Sequence, residues 1–204
     1  KRDRVPSKRQ NAWHVFEAVF RKYPDPHNCV PSPMTYTVSL GKKLVKLNGL
    51  LYAQQNGLNK VCAQVALRSL LSRTPGGDVS YRQINDIALK SAPSPDWLPE
   101  DGLSTQQIRA CLRSFGIKFR DFEYEMHNSR DRRAFPYQKF VYSGIESGAG
   151  ALLGFRLSGP GALNGRHHII PFYGHTFNKD TWAPEADKYY FRVGDRLRYI
   201  PSEN

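Results

Sequence analysis

The 204-residue sequence predicts an α+β domain, a helical first part followed by an antiparallel β-sheet. Three observations lead there. Apolar residues recur at helical spacing as far as residue 115, strand-like runs follow from residue 117, and the two patterns do not alternate. Alternating strands and helices would indicate a parallel α/β sheet, whereas helices followed by strands indicate segregated layers. Hydrophobic residues make up 40% and charged residues 24%, a globular balance that excludes a wholly disordered chain. A chain of this size buries roughly 70% of its unfolded surface, enough for a real core. No apolar run approaches the roughly 20 residues of a membrane helix, and none resembles a secretory leader.

The elements follow in order. Residues 10–23 read as an amphipathic helix, with Trp13, Phe16, Val19, Phe20 and Tyr23 at helical spacing. Four prolines between residues 24 and 33 make an extended linker. Residues 34–50 are weakly patterned, with a short strand expected at 35–40. From Asn59, a candidate N-cap, Ala63, Ala66, Leu67 and Leu70 mark the buried face of a helix. A turn at residues 74–78 ends it. Ser80 with Gln83 forms a capping box for a second helix carrying Ile84, Ile87 and Ala88. Ser104 with Gln107 caps a third, with Ile108, Cys111, Leu112 and Phe115 as its face and Gly116 as its stop. Strands are expected at residues 117–124, 151–157, 168–173, 188–193 and 197–200. Residues 126–150 fit neither period, and a loop of that length inside a compact domain is often functional.

Cys62 is the first candidate for chemistry. In the first turn of a helix a thiol meets the positive end of the helix dipole, which favours the thiolate. Gln54, Gln55 and Asn56 lie just upstream, where a side-chain amide can fold back to donate to the oxyanion formed when a thiolate attacks a carbonyl. The plainer alternative is a cysteine packed like a small apolar residue, the reading given to Cys111. Cys29 lies between prolines with no helix terminus to activate it. A nucleophilic cysteine needs a distant imidazole and a polar residue to orient it. His167 and His168 open an apolar strand pattern, so only one of them faces the helix terminus. Asn178, Asp180 and Asp187 follow as candidate orienting residues. Zinc is disfavoured: adjacent strand histidines point to opposite faces, and no His-x-x-x-His occurs on a helix. The glycine-rich stretches at 147–150 and 158–161 lack the Lys-Ser/Thr sequel of a phosphate loop. No cofactor is expected.

With these pieces placed, the chain resembles the papain-like cysteine peptidases, most nearly the compact branch of bacteriocin-processing, double-glycine peptidases. Gln55, Cys62 and the helix continuing from Ala63 to Leu67 are similar to that family's opening. Residues 104–116 are similar to its later helix and glycine stop, and residues 168–174 to its histidine strand. The resemblance spans roughly residues 50 to 185. The Gln-to-Cys interval is seven where six is usual, and Ala63 stands where glycine is common. What the resemblance implies is a papain-like fold and a thiol hydrolase cleaving an amide bond in a protein or peptide. Cys62 would be the nucleophile, His168 the base and then the acid, Asp180 the favoured orienter, and Gln55 the oxyanion donor. Members of the family also catalyse acyl transfer or deamidation, and some are inactive binding modules.

The expected division is residues 1–50, a basic arm, helix and linker, and residues 51–204, the peptidase-like domain. Lys1 reads as the start of a fragment of something longer. Three cysteines, Cys29, Cys62 and Cys111, form neither a disulfide framework nor a Cys-x-x-Cys metal site, and favour a reducing, cytoplasmic compartment. Thirty basic against eighteen acidic residues leave a net charge of +12, clustered in residues 1–9 and around Arg130, Arg132 and Arg133. That charge points to an acidic substrate or partner, with nucleic acid as the alternative. No signature of an RNA- or DNA-reading module accompanies it.

Overall fold

A computed structural model describes residues 15–20, 28–29, 34–55, 60–74, 77–123, 137–156, 167–176, 190–193 and 196–199. The described chain is a mixed α+β structure with antiparallel sheets. Strand β1 (Val15–Phe20) and the short β2 (Asn28–Cys29) precede a long hairpin of β3 (Met34–Leu40) and β4 (Lys43–Gln55). Helices α1 (Cys62–Leu71) and α2 (Tyr81–Lys90), a 3-10 turn (Pro99–Asp101) and α3 (Thr105–Ser114) follow, then α4 (Tyr137–Glu146). Strands β5 (Ala151–Arg156), β6 (His167–Phe172), β7 (His175–Thr176), β8 (Tyr190–Val193) and β9 (Arg196–Tyr199) complete it. The ladders are β1-β4-β3, β2-β7, β5-β6 and β8-β9, all antiparallel. Among the described residues no helix is long and apolar enough to cross a membrane.

The three central helices form where the sequence places them. Ser80 accepts from the Gln83 N–H while Gln83 accepts from the Ser80 N–H, and Ser104 and Gln107 repeat the arrangement. Gly116, at φ +69°, ends α3 in a conformation that a side chain would strain. Helix α1 is buried almost all round. Its apolar side chains Leu67 and Leu71 join Val79, Ile84, Ala88, Trp97, Cys111 and Leu112 in the main core. On its other flank Val61 and Val65 meet Val15 and Tyr81 in a second cluster. Sheet β5-β6 lies against α1, with Leu152 packed on the main core.

The N-terminal part corrects the sequence reading. Residues 15–20, expected within a helix, form β1, each residue paired in register with β4 from Val15↔Gln55 to Phe20↔Leu50. Phe16, Val19 and Phe20 satisfy the helical spacing, but Val15, Glu17 and Val19 share the inner face of a strand, and the ladder with β4 decides the outcome. Among the described residues, a three-stranded antiparallel sheet rather than a helical layer therefore comes before α1. The expected boundary between residues 50 and 51 falls inside β4, whose second half is hydrogen-bonded to β1.

Two further differences follow from packing. Residues 117–123 form no strand, although their alternation is real: Ile117 and Phe119 pack on the main core while Lys118 and Arg120 face solvent. Residues 137–146, left unassigned by period, form α4, where Ile145 is the one buried side chain among those described. So sparse an apolar stripe carries little periodic signal. The N-cap of α1 is Val61 rather than the expected Asn59. Asn59 itself, residues 124–136 with Arg130, Arg132 and Arg133, and the arm at 1–9 lie outside the described residues.

Candidate functional site

Cys62 is the first residue of α1 and is half-buried. Val61 occupies the N-cap and makes no side-chain cap, and the first turn holds no acidic residue. The dipole end at Cys62 is thus met neither by a capping side chain nor by a carboxylate of its own turn. Two residues on, Gln64 is buried and donates from Nε2 to the Pro99 carbonyl at 2.7 Å, fixing the 3-10 turn against the start of the helix. Gly102, at φ +87°, comes so near that an added Cβ would lie 2.7 Å from the Lys60 carbonyl oxygen. The segment around residues 97–102 is therefore held against the start of α1 at Lys60 and Gln64, and is stiffened by the Trp97 Nε1 donation to Gly102 O at 3.0 Å.

The levels along α1 can be read from its contacts. At the Cys62 end, Val61 and Val65 cluster with Val15, which pairs with Gln55. One turn further, Arg68 Nε meets Glu17 Oε1 at 2.9 Å. At the C-terminal end, Tyr173 donates to the Leu51 carbonyl at 3.3 Å, bonds with Ser69 and lies under the Arg73 guanidinium. Tyr36 and Ser72 share a 3.2 Å hydrogen bond at the same end. Strand β1 therefore runs alongside α1 and β4 runs against it, which brings the Gln55 backbone level with the first turn of the helix.

His168 lies on β6 opposite Phe155, whose ring it meets edge-on at 5.6 Å, and it is half-buried where His167 is exposed. Burial lowers its pKa from the ordinary histidine value, which keeps the imidazole neutral and able to accept a proton near neutral pH. Strand β6 packs on α1, and its C-terminal end is fixed there: Gly150 sits between the Leu70 side chain and the Phe172 carbonyl, and Tyr173 reaches Ser69. Among the described residues no hydrogen bond joins Cys62 to His168. Asp180, Asn178 and Asp187 lie outside the described residues.

Cys111 is the core residue that the sequence suggests. It is fully buried, its Sγ lies 3.7 Å from the Ile84 carbonyl, and burial pushes its pKa up to about 11. His175 hydrogen-bonds Glu146 through Nε2, and its ring lies tilted against Tyr142 with centroids 4.6 Å apart. Its register partner is Cys29. No sequence spacing announces this group, because its members come from β2, α4 and β7. Compared with family models, curated proteins and solved structures, the chain matches none.

Proposed function

We propose that the protein is a thiol hydrolase of papain-like type, acting on an amide bond of a protein or peptide through Cys62 and His168. The observation that carries this reading is the half-buried Cys62 opening a helix whose first turn has neither side-chain cap nor acidic residue. The levels of the neighbouring strands support it. From the Leu70–Phe172 anchor, eight helical residues lead back to Cys62, about 12 Å, and four strand residues lead back to His168, about 13 Å. By rise along α1 and β6 the two residues fall at a similar level, near that of Gln55, while by register His168, with Phe155, lies on the sheet face alternate to that of Leu152, which packs on the main core.

In the proposed reaction the Cys62 thiolate attacks the amide carbonyl carbon. The oxyanion is met by first-turn N–H groups and the Gln55 side chain. The C–N bond breaks, and protonated His168 gives its proton to the leaving amine. Water, deprotonated by His168, then cleaves the thioester, releasing the carboxylate and restoring the pair. Asp180 is the proposed orienter of the imidazole. The net charge of +12 suits an acidic substrate.

The test is the rate of iodoacetamide alkylation of each cysteine against pH, resolved by mass spectrometry, in wild type and His168→Ala. Fast reaction at Cys62 below neutral pH, lost without His168, is the expected result. Slow reaction with the profile of an ordinary thiol removes the nucleophile. Fast alkylation of Cys29 instead would move the search to the β2-β7 pair, where its register partner is His175.

A further inference from the structure

The tip of the β3-β4 hairpin, residues 39–48, has no part in the proposed chemistry. It is held to the body by the Tyr36–Ser72 hydrogen bond, and beyond it nearly every residue from 39 to 48 is exposed. Its tip is a two-residue turn, Gly41 at φ +61° followed by Lys42, a geometry that fixes the strands rather than leaving a floppy loop. Opposed residues of an antiparallel pair share a face. Leu40 and Leu47 therefore lie on one face with Val38 and Val45, while Leu44 lies on the other with Ser39, Thr37 and Lys46. Leu40 is 65% exposed and Leu44 75% exposed, so the tip presents leucine on both sides.

The charge around these leucines is of one sign. Lys42, Lys43 and Lys46 flank them and make no ion pair among the described residues. No Asp or Glu occurs between Asp25 and Asp78. A flat protein surface covers one face of a hairpin and leaves the other leucine wet, and a nucleic acid backbone offers no apolar layer for either. An anionic lipid surface satisfies both features: acyl chains receive the two-sided tip while the lysines remain among the headgroups.

We infer that the β3-β4 tip is a wedge that docks the protein on anionic membranes. This does not rest on the thiol chemistry proposed above. The experiment is vesicle flotation of the full chain with phosphatidylcholine alone and with phosphatidylcholine–phosphatidylserine mixtures. It compares wild type, Leu40→Ser/Leu44→Ser, and Lys42→Gln/Lys43→Gln/Lys46→Gln. Because these side chains are exposed, the variants should keep the wild-type circular dichroism and melting temperature. Wild type binds the serine-lipid vesicles. The leucine variant loses at least about tenfold in affinity and the lysine variant about a hundredfold. A Leu44→Trp protein shows blue-shifted emission on the same vesicles. Equal binding to both lipid mixtures, or unchanged binding in both tip variants, overturns the inference. So does loss in the lysine variant alone without a Trp shift, which would make the hairpin a site for polyanions in general.

Discussion

The contacts of Arg68 make a prediction in which two carboxylates at nearly equal distance differ sharply in worth. Arg68 is buried in the middle of α1, and its Nε meets Glu17 Oε1 at 2.9 Å while its Nη1 meets Asp78 Oδ1 at 2.8 Å. Nη1 also donates to the Val79 carbonyl at 2.6 Å. Burial alone disfavours the guanidinium charge, but the hydrogen bonds and charges of Glu17 and then Asp78 outweigh it and raise its pKa. The Glu17 side chain is 9% exposed and that of Asp78 86% exposed. Water already solvates Asp78, so Asp78→Ala should cost at most about 1 kcal/mol. Glu17→Ala leaves a buried charge short of its buried partner and should cost about 3 kcal/mol. With a urea slope of about 2 kcal/mol/M, that moves the unfolding midpoint by about 1.5 M against about 0.5 M or less for Asp78→Ala. Replacing both ends, Glu17→Leu with Arg68→Met, should return the midpoint to within about 0.5 M of wild type, since well-packed apolar residues replace an ion pair at little cost. Equal losses for Glu17→Ala and Asp78→Ala, or a double variant no better than Glu17→Ala, would refute the reasoning.

Other outcomes follow from single contacts. His168, with its pKa lowered by burial, should titrate below the ordinary value of about 6.5 when its ring protons are followed by NMR. The unfolded chain then binds the proton more readily. The stability it contributes is present above the unfolded pKa and is lost as pH falls from there through the folded one, a loss that His168→Phe should reduce. Cys111 should resist alkylation at pH 8 in the folded protein and react only after denaturation, because its thiol is fully buried and ionises near 11. Gly49→Ala should lower stability by about 1–3 kcal/mol, as its new methyl would collide with the Phe20 carbonyl where β1 crosses β4. Ser80→Ala should cost about 1 kcal/mol in thermal melts through loss of the N-cap bond to Gln83.

How far the sequence was readable depended on how local the deciding interactions are. The two capping boxes, the Gly116 stop and the core role of Cys111 are set within a turn or two of chain, and each is found as read. Strand β1 is set by Leu50–Gln55 of β4, some thirty-five residues away, and the helical spacing of Phe16, Val19 and Phe20 carries no sign of that partner. Glu17 looks like a solvent residue of an amphipathic helix, yet it is a buried partner of Arg68, fifty-one positions later. That His167 and His168 differ in exposure was legible, because a strand alternates its faces. The association of His175 with Glu146 was not legible, since no periodicity links the end of a helix to a two-residue strand.

The polar residues of α1 explain why a helix apolar on one face becomes buried on nearly all. Each holds a different segment of chain. Gln64 holds the 3-10 turn through Pro99, Arg68 holds β1 through Glu17, Ser69 holds the end of β6 through Tyr173, and Ser72 holds β3 through Tyr36. Removed from water, such groups are costly unless paired, so each bond fixes its segment at one level along the helix axis. A helix fixed at four levels has little freedom to slide or rotate, and Cys62 is its first residue. In the proposed reaction that fixity has a direct use. A nucleophile gains from being held within reach of its carbonyl and base before substrate arrives, and a misplacement of about 1 Å costs on the order of a hundredfold in rate. The tethers farthest from Cys62 should therefore matter to turnover as well as to stability. Ser69→Ala, which removes one of the contacts of Tyr173 at the anchored end of β6, should lower the Cys62 alkylation rate more than its own loss of stability accounts for. An unchanged rate in a folded Ser69→Ala protein would show that the Ser69 bond does not position β6 for the chemistry at Cys62.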